Sequence, residues 1–281
     1  MTHMATRAIT LFGVTMTHDT TIHLQVRDDI ALLTLNRPDK RNAFNDAMRA
    51  EFIQVLEHIA QEHTIRALVL TGAGKGFCAG GDVAGMQQRM QAPAGEIAFN
   101  GWRRQQSVHH ATGLLHQMPK PVIAAVNGAA VGLGADTALA CDFVLMSDEA
   151  SFAWSYIARG LIPDGGGLYF LPRRIGLPQA KALIFSGRKV DAREAMTLGI
   201  ADRVVAAENL LDEAHAWAVS LSQGSAKALA LGKSILNCSF ELTADQIFAM
   251  GSQAQSMCYT TTEHQASVTA FLARTAKDGQ S

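Results

Sequence analysis

RALVLTGAGKGFCAGGD, residues 66–82, carries a short apolar run straight into a loop with five glycines. Arg66 to Thr71 has the length and composition of a buried strand. A loop so rich in glycine lets the backbone approach a ligand closely and aim several N–H groups at it. Three readings compete with an anion site. A phosphate-binding loop needs Gly-Lys followed by Ser or Thr, but Gly76 follows Lys75. A dinucleotide fingerprint needs a third glycine opening a helix, but Gly72-Ala73-Gly74 is followed by Lys75-Gly76-Phe77. A loose surface loop fits poorly with Phe77 and Cys78, which favour burial. A backbone site for an anionic oxygen remains.

Working outward, a second such turn is NGAAVGLGAD, residues 127–136, which follows an apolar strand from Pro121 to Val126. Small residues there let the chain turn tightly before a helix running through Leu139, whose first amides suit an anionic oxygen. Upstream, Ile22, Leu24 and Val26 alternate within Thr21–Arg27. Asp28-Asp29 reads as a turn and Ile30–Leu35 as a second strand, so a hairpin is expected. Met48, Phe52, Val55, Leu56 and Ile59 recur at helical spacing and place an amphipathic helix over Asp46–Gln61. Downstream, Gln105–Gln117 reads as helix and Asp142–Met146 as strand, before the turn IPDGGG at residues 162–167. Strands alternating with helices predict an α/β fold.

Beyond Arg188 the strand signals fade. Asp191 with Glu194 forms a capping box that starts a helix, and Gly199 follows its last turn. After about Asp212 the pattern is almost wholly helical, with no proline beyond Pro178 and alanine-rich faces that suit subunit contact. The expected organisation is a disordered extension over residues 1–18, a core over 19–211 and a separately packed helical region over 212–281. Met16 offers an alternative start, and the apolar patch Ile9–Val14 is too short and interrupted for a signal peptide.

With 48% hydrophobic and 17% charged residues the chain has the makings of a sizeable core. A net charge of -1 gives no global attraction for nucleic acid or an anionic membrane, so any anionic ligand must be held by a local cluster. No apolar run approaches the roughly 20 residues of a membrane span. Cys78, Cys141, Cys238 and Cys258 form no CxxC pair and read as reduced thiols in a cytoplasmic protein. No HExxH or carboxylate cluster suggests a metal, and no GxSxG turn suggests a hydrolase triad. The adjacent His109 and His110 diverge on a helix and read as structural.

Taken in order, LNRPDKRNAF (35–44), GFCAGGD (76–82), AVNG (125–128) and GLIPDGG (160–166) resemble the successive motifs of the crotonase (enoyl-CoA hydratase/isomerase) superfamily. The resemblance implies a crotonase-like spiral of β-β-α units with a C-terminal helical trimerisation region, assembled as a homotrimer or as paired trimers. It implies acyl-CoA thioester substrates and no cofactor beyond the coenzyme A they carry. By motif position the oxyanion hole is the backbone N–H of Gly81 and of Leu133. Substrate contacts are implied at Arg37, Lys40 and Arg41, at Cys78, Ala79, Gly81, Asp82 and Val83, and at Gly132 and Tyr156. Phe271, Arg274 and Lys277 fall where a C-terminal basic group reaches a neighbour's coenzyme A. Where relatives often carry a lysine two positions after the loop aspartate, this chain has Ala84.

Membership does not fix the reaction, because the superfamily varies its acid/base groups. Relatives that hydrate a conjugated double bond use two glutamates. The matching positions here are Asp136 and Tyr156, and a phenol is a poor base at neutral pH. Asp164 matches the catalytic carboxylate of the ring-epoxide and dienoyl-type isomerases and of dihydroxynaphthoyl-CoA synthase. One carboxylate can lift a proton from one carbon and return it to another, so proton shuttling by Asp164 is the first expectation. Hydration through Asp136 is the second, and a catalytically silent CoA-binding scaffold the third. The bland readings are a turn aspartate for Asp164, a helix first-turn carboxylate for Asp136 and a brace for the loop in Asp82. Met86–Phe99 and Trp102 are expected to wall the acyl pocket. An RNA-binding role, found in one branch of the family, is disfavoured by the net charge.

Overall fold

The computed structural model describes residues 20–278, and the expected extension over residues 1–18 lies outside them. Asp28 and Asp29 both adopt left-handed backbone, φ 52° and 61°, as a two-residue hairpin turn requires. They join β1 (Ile22–Arg27) to β2 (Ile30–Leu35), antiparallel, with Ile22 opposite Leu35. Helix α1 (Asp46–Gln61) starts where Asn45 accepts the Met48 amide at 2.8 Å. It buries Met48, Phe52, Val55, Leu56 and Ile59, the residues its periodicity selects.

There follow β3 (Ala67–Gly72), α2 (Val83–Arg89), α3 (Ala94–Gln117), β4 (Val122–Val126), β5 (Ala129–Val131), α4 (Leu133–Leu139), β6 (Phe143–Ser147) and β7 (Ser151–Ala153). Then come α5 (Gly167–Ile175), α6 (Leu177–Ser186), β8 (Lys189–Asp191), α7 (Ala192–Leu198), β9 (Arg203–Val205) and α8 (Leu210–Leu221). Three helices close the chain: α9 (Ala226–Asn237), α10 (Ala244–Tyr259) and α11 (Thr262–Asp278).

The main sheet has the order β1-β2-β3-β4-β6-β9 and is parallel from β2 onward. A second sheet, β5-β7-β8, is mixed. Alternation along the central strands feeds two cores, as pleated strands covered on both faces must. Leu68, Leu70, Val122, Ala124, Val144 and Met146 face the larger core with α1 and α4. Ala67, Val69, Ile123, Ala125 and Leu145 face Leu210, Ala214, Trp217 and Ala218 of α8. Burying Leu210 alone stabilises that docking by about 1.5–3 kcal/mol.

Three expectations are corrected. Strand does continue beyond Arg188, in β8 and β9, whose three residues are too few to show alternation and are held by partner strands. Helix α3 begins at Ala94 instead of Gln105, because its first half is largely exposed and has no apolar stripe to reveal it. At α7, Asp191 accepts the Glu194 amide at 2.8 Å, but the Glu194 carboxylate turns to Arg188, leaving half a capping box. The boundary placed at 212 falls inside α8, which packs on the sheet; no residue of α9 or α10 is buried.

Candidate active site

The loop after β3 is pinned from both sides by asparagine side chains. Asn42 donates to the carbonyls of Ala73 and Gly76 at 2.9 and 2.8 Å. Asn127 donates to those of Gly72 and Gly74 at 2.9 Å each, and its Oδ1 accepts the Gly72 amide. Phe77 and Cys78 are fully buried, so the loop is anchored through its middle.

The second glycine-rich turn is stitched directly to the first. The Cys78 amide donates to Ala129 O at 3.1 Å, and the Val131 amide to Cys78 O at 2.8 Å. Contact is close enough that a Cβ on Gly80, where φ is +92°, would stand 2.8 Å from Val131 O. One on Gly134 would stand 2.2 Å from Cys78 O. Glycine is therefore a requirement at these crossings. The stitching brings Gly81 and Leu133 to the wall of one cavity of about 380 Å3. Among the described residues, neither amide donates a hydrogen bond to protein.

Asp164 lies on the same wall, in the turn before α5. Gln105 of α3 donates to its Oδ2, and His109, one turn further along, donates from Nε2 to its backbone carbonyl at 3.0 Å. Among the described lining residues Asp164 is the one carboxylate. A larger groove of about 1190 Å3 opens on its other side, between α3 and α9.

Asp136 is placed differently. It has no exposed surface and is not among the residues lining the cavity. Trp154 Nε1 donates to its Oδ1 at 3.0 Å, and the Tyr156 hydroxyl and Gly165 amide donate to its Oδ2 at 2.7 and 3.0 Å. Burial pushes its pKa up to about 7 against the pull of the Tyr156 and Gly165 donors. Asp136 thus ties the Tyr156 segment to the turn that carries Asp164. Tyr156 does reach the cavity. Burial first, then the carboxylates of Asp136 and Asp164, drive its hydroxyl upward, so it remains a protonated donor.

The other sequence candidates divide. Ala79, Val83, Gly132 and Arg41 line the cavity, while Lys40 is exposed beside Arg41. Arg37 is not a free cation: it pairs with Asp82 at 2.9 Å and donates to Ala43 O. That hydrogen bond from Arg37 holds the Asp82 carboxyl below its ordinary range, and Asp82 in turn accepts the Ala84 amide at 3.0 Å. Cys78 turns its thiol into the core, where burial pushes its pKa up to about 12. Phe271, Arg274 and Lys277 lie on α11, and among the described residues none of α11 lines this cavity. Of the expected acyl wall, Met86 and Arg89 line the cavity and Trp102 lines the larger groove, while Phe99 is exposed and stacks on Trp102 at 6.1 Å.

Arg104 and Gln105 line the cavity as well, and sequence reasoning had not singled them out for it. A signal existed: Arg104, Val108, Ala111 and Leu115 share one stripe of α3, and the last three are buried. A charge on a buried stripe marks an inward-facing site.

The family model for enoyl-CoA hydratase/isomerase matches residues 25–278. The 1,2-epoxyphenylacetyl-CoA isomerase of Escherichia coli (strain K12) is 36% identical, over 89% of this chain and 94% of that protein. The crotonyl-CoA hydratase of Syntrophomonas wolfei is 32% identical over 89% and 94%. Among solved structures, an enoyl-CoA hydratase/isomerase from Cupriavidus metallidurans CH34 superposes with a TM-score of 0.84 at 35% identity, covering 92% of this chain and 95% of that one. The mixed α/β fold with helices at its C-terminus is the crotonase fold, and the chain belongs to the enoyl-CoA hydratase/isomerase family of the crotonase superfamily.

Proposed function

We propose that the protein is an acyl-CoA isomerase that moves a proton through Asp164 while the amides of Gly81 and Leu133 hold the thioester oxygen. With a 3-enoyl-CoA, the Asp164 carboxylate takes a proton from the carbon next to the carbonyl, and the charge passes to the thioester oxygen. Two preorganised amides stabilise that oxyanion, each worth about 2.7–4 kcal/mol in comparable sites. The carboxyl then returns the proton to the γ-carbon, and the double bond ends in conjugation with the thioester. The step moves one proton and is redox-neutral, so it calls for no cofactor beyond the coenzyme A of the substrate.

The observation that carries this reading is the placement of the carboxylates. Asp164 is on the cavity wall beside the two amides, whereas Asp136 is buried with its oxygens engaged and Tyr156 stays protonated. Hydration by a pair of carboxylates therefore has one candidate where it needs two. Arg41 and Lys40 are the proposed contacts for the coenzyme A phosphates, and Arg37 and Asp82 brace the loop. The apolar side chains exposed on the C-terminal helices support assembly as a homotrimer or paired trimers.

Absorbance of the conjugated thioester tests the reaction. With 3-enoyl-CoA it is expected to rise, and with 2-enoyl-CoA to stay level. In Asp164→Asn the rise is expected to vanish, by at least about 100-fold in kcat, with CoA-thioester binding retained. Loss of absorbance from 2-enoyl-CoA would instead identify water addition, and full isomerase turnover in the variant would remove Asp164 from the mechanism.

A further inference from the structure

Arg104 projects from the buried stripe of α3 into the cavity, with its side chain 14% exposed. Its Nε is buried with no hydrogen-bond partner among the described residues. Among the described residues one carboxylate comes within 4 Å of it, Asp46 at 3.8 Å, which is itself 68% exposed and engaged by Arg49 at 2.8 Å, while Asp164 attracts it from further away. Arg89 lines the same cavity, and Arg89 and Arg49 both repel Arg104. Burial first, and then these two guanidinium groups, pull Arg104 below the usual arginine range, although an arginine stays charged. Asp164 and Asp46 offset part of this, but neither hydrogen-bonds the buried Nε, and an anion brought by a ligand would supply the missing partner.

The position says which anion. A Cβ on Gly81 would stand 3.4 Å from Arg104 Nη2, so the guanidinium sits beside one of the two amides assigned to the thioester oxygen. The next residue along α3, Gln105, holds Asp164. Arg104 therefore flanks both the carbonyl and the base. The phosphates of coenzyme A cannot be its partner in that pose, because a long pantetheine arm separates them from the thioester. An anion this near the carbonyl belongs to the acyl group, and a planar guanidinium suits a carboxylate. We propose that the substrate is a dicarboxylic acyl-CoA, with the distal carboxylate a few carbons from the thioester and held by Arg104, with Arg89 beside it. This rests on the acyl-CoA reading above. Arg104 attracts Asp164 as well, so its charge would offset repulsion between that carboxylate and the substrate's.

Calorimetric titration of the whole protein with chain-matched pairs of saturated thioesters separates the two proposals. Glutaryl-CoA is expected to bind roughly 10- to 100-fold more tightly than pentanoyl-CoA, or succinyl-CoA than butanoyl-CoA if the shorter span fits better. In Arg104→Gln the ratio within the preferred pair is expected to fall toward one, and in Arg89→Gln to fall less. Equal affinity within both pairs in the wild type overturns the carboxylate and leaves the acyl-CoA reading standing. Failure of every thioester and of free coenzyme A to bind overturns both. A ratio that survives in Arg104→Gln overturns the assignment to this residue. Should that variant not fold, the wild-type ratio and Arg89→Gln decide.

Discussion

Asp136 holds three donors in a place with no access to water, and its folded pKa of about 7 lies well above the ordinary 3.8. Such a group binds its proton more tightly folded than unfolded. Its stabilising contribution is therefore complete below the unfolded value and is lost as pH rises from about 4 to about 7. Urea midpoints of the wild type measured against Asp136→Asn should show this. The wild type is expected to lose ground as pH rises through that window, with a slope approaching about 1.4 kcal/mol per pH unit. A difference that does not change with pH would mean that Asp136 titrates alike in both states. From the sequence, Asp164 was the first expectation for a reacting group and Asp136 the second. What separates them is tertiary: Asp136 is buried with its oxygens taken by Trp154, Tyr156 and the Gly165 amide, whereas Asp164 stays on the cavity wall. Arg104 was the reverse case, legible in the helical spacing of α3 once its neighbours are read as buried, and Arg37 was a cation whose partner lies 45 residues away.

At the level of elements, the two glycine-rich turns act as one unit because Cys78 bonds to both Ala129 and Val131. Gly80→Ala would place a methyl against Val131 O at a φ that alanine rarely adopts. The expected result is a loss of about 1–3 kcal/mol in stability and a fall in kcat that outweighs any change in KM, because the Gly81 amide is displaced. Unchanged kinetics would show that the crossing does not position that amide. Asn127→Ala, which frees the carbonyls of Gly72 and Gly74, should loosen the same loop by about 1–3 kcal/mol. Long, regularly patterned elements such as α1 and the β1–β2 hairpin were readable because local spacing and tertiary burial agree. β8 and β9 were not, since three residues carry no period and their strand character comes from the partner strand.

For the molecule as a whole, the C-terminal helices and the turn between α9 and α10 leave Phe240, Phe248 and Leu272 between 60 and 78% exposed. Apolar surface of that extent on a single chain is expected to be covered by further copies. Sedimentation should give a multiple of three chain masses, and Phe248→Glu should shift the distribution toward smaller species. A wild type that sediments as one chain would contradict this. The main-chain origin of the two amides also bears on retooling the protein. Val83, Met86, Ser155, Arg159 and Leu161 border the same cavity through their positions in separate segments, and none of them supplies an amide assigned to the oxyanion. A combinatorial library over these five positions is expected to change which acyl groups fit while every member keeps the two main-chain amides proposed to hold the carbonyl.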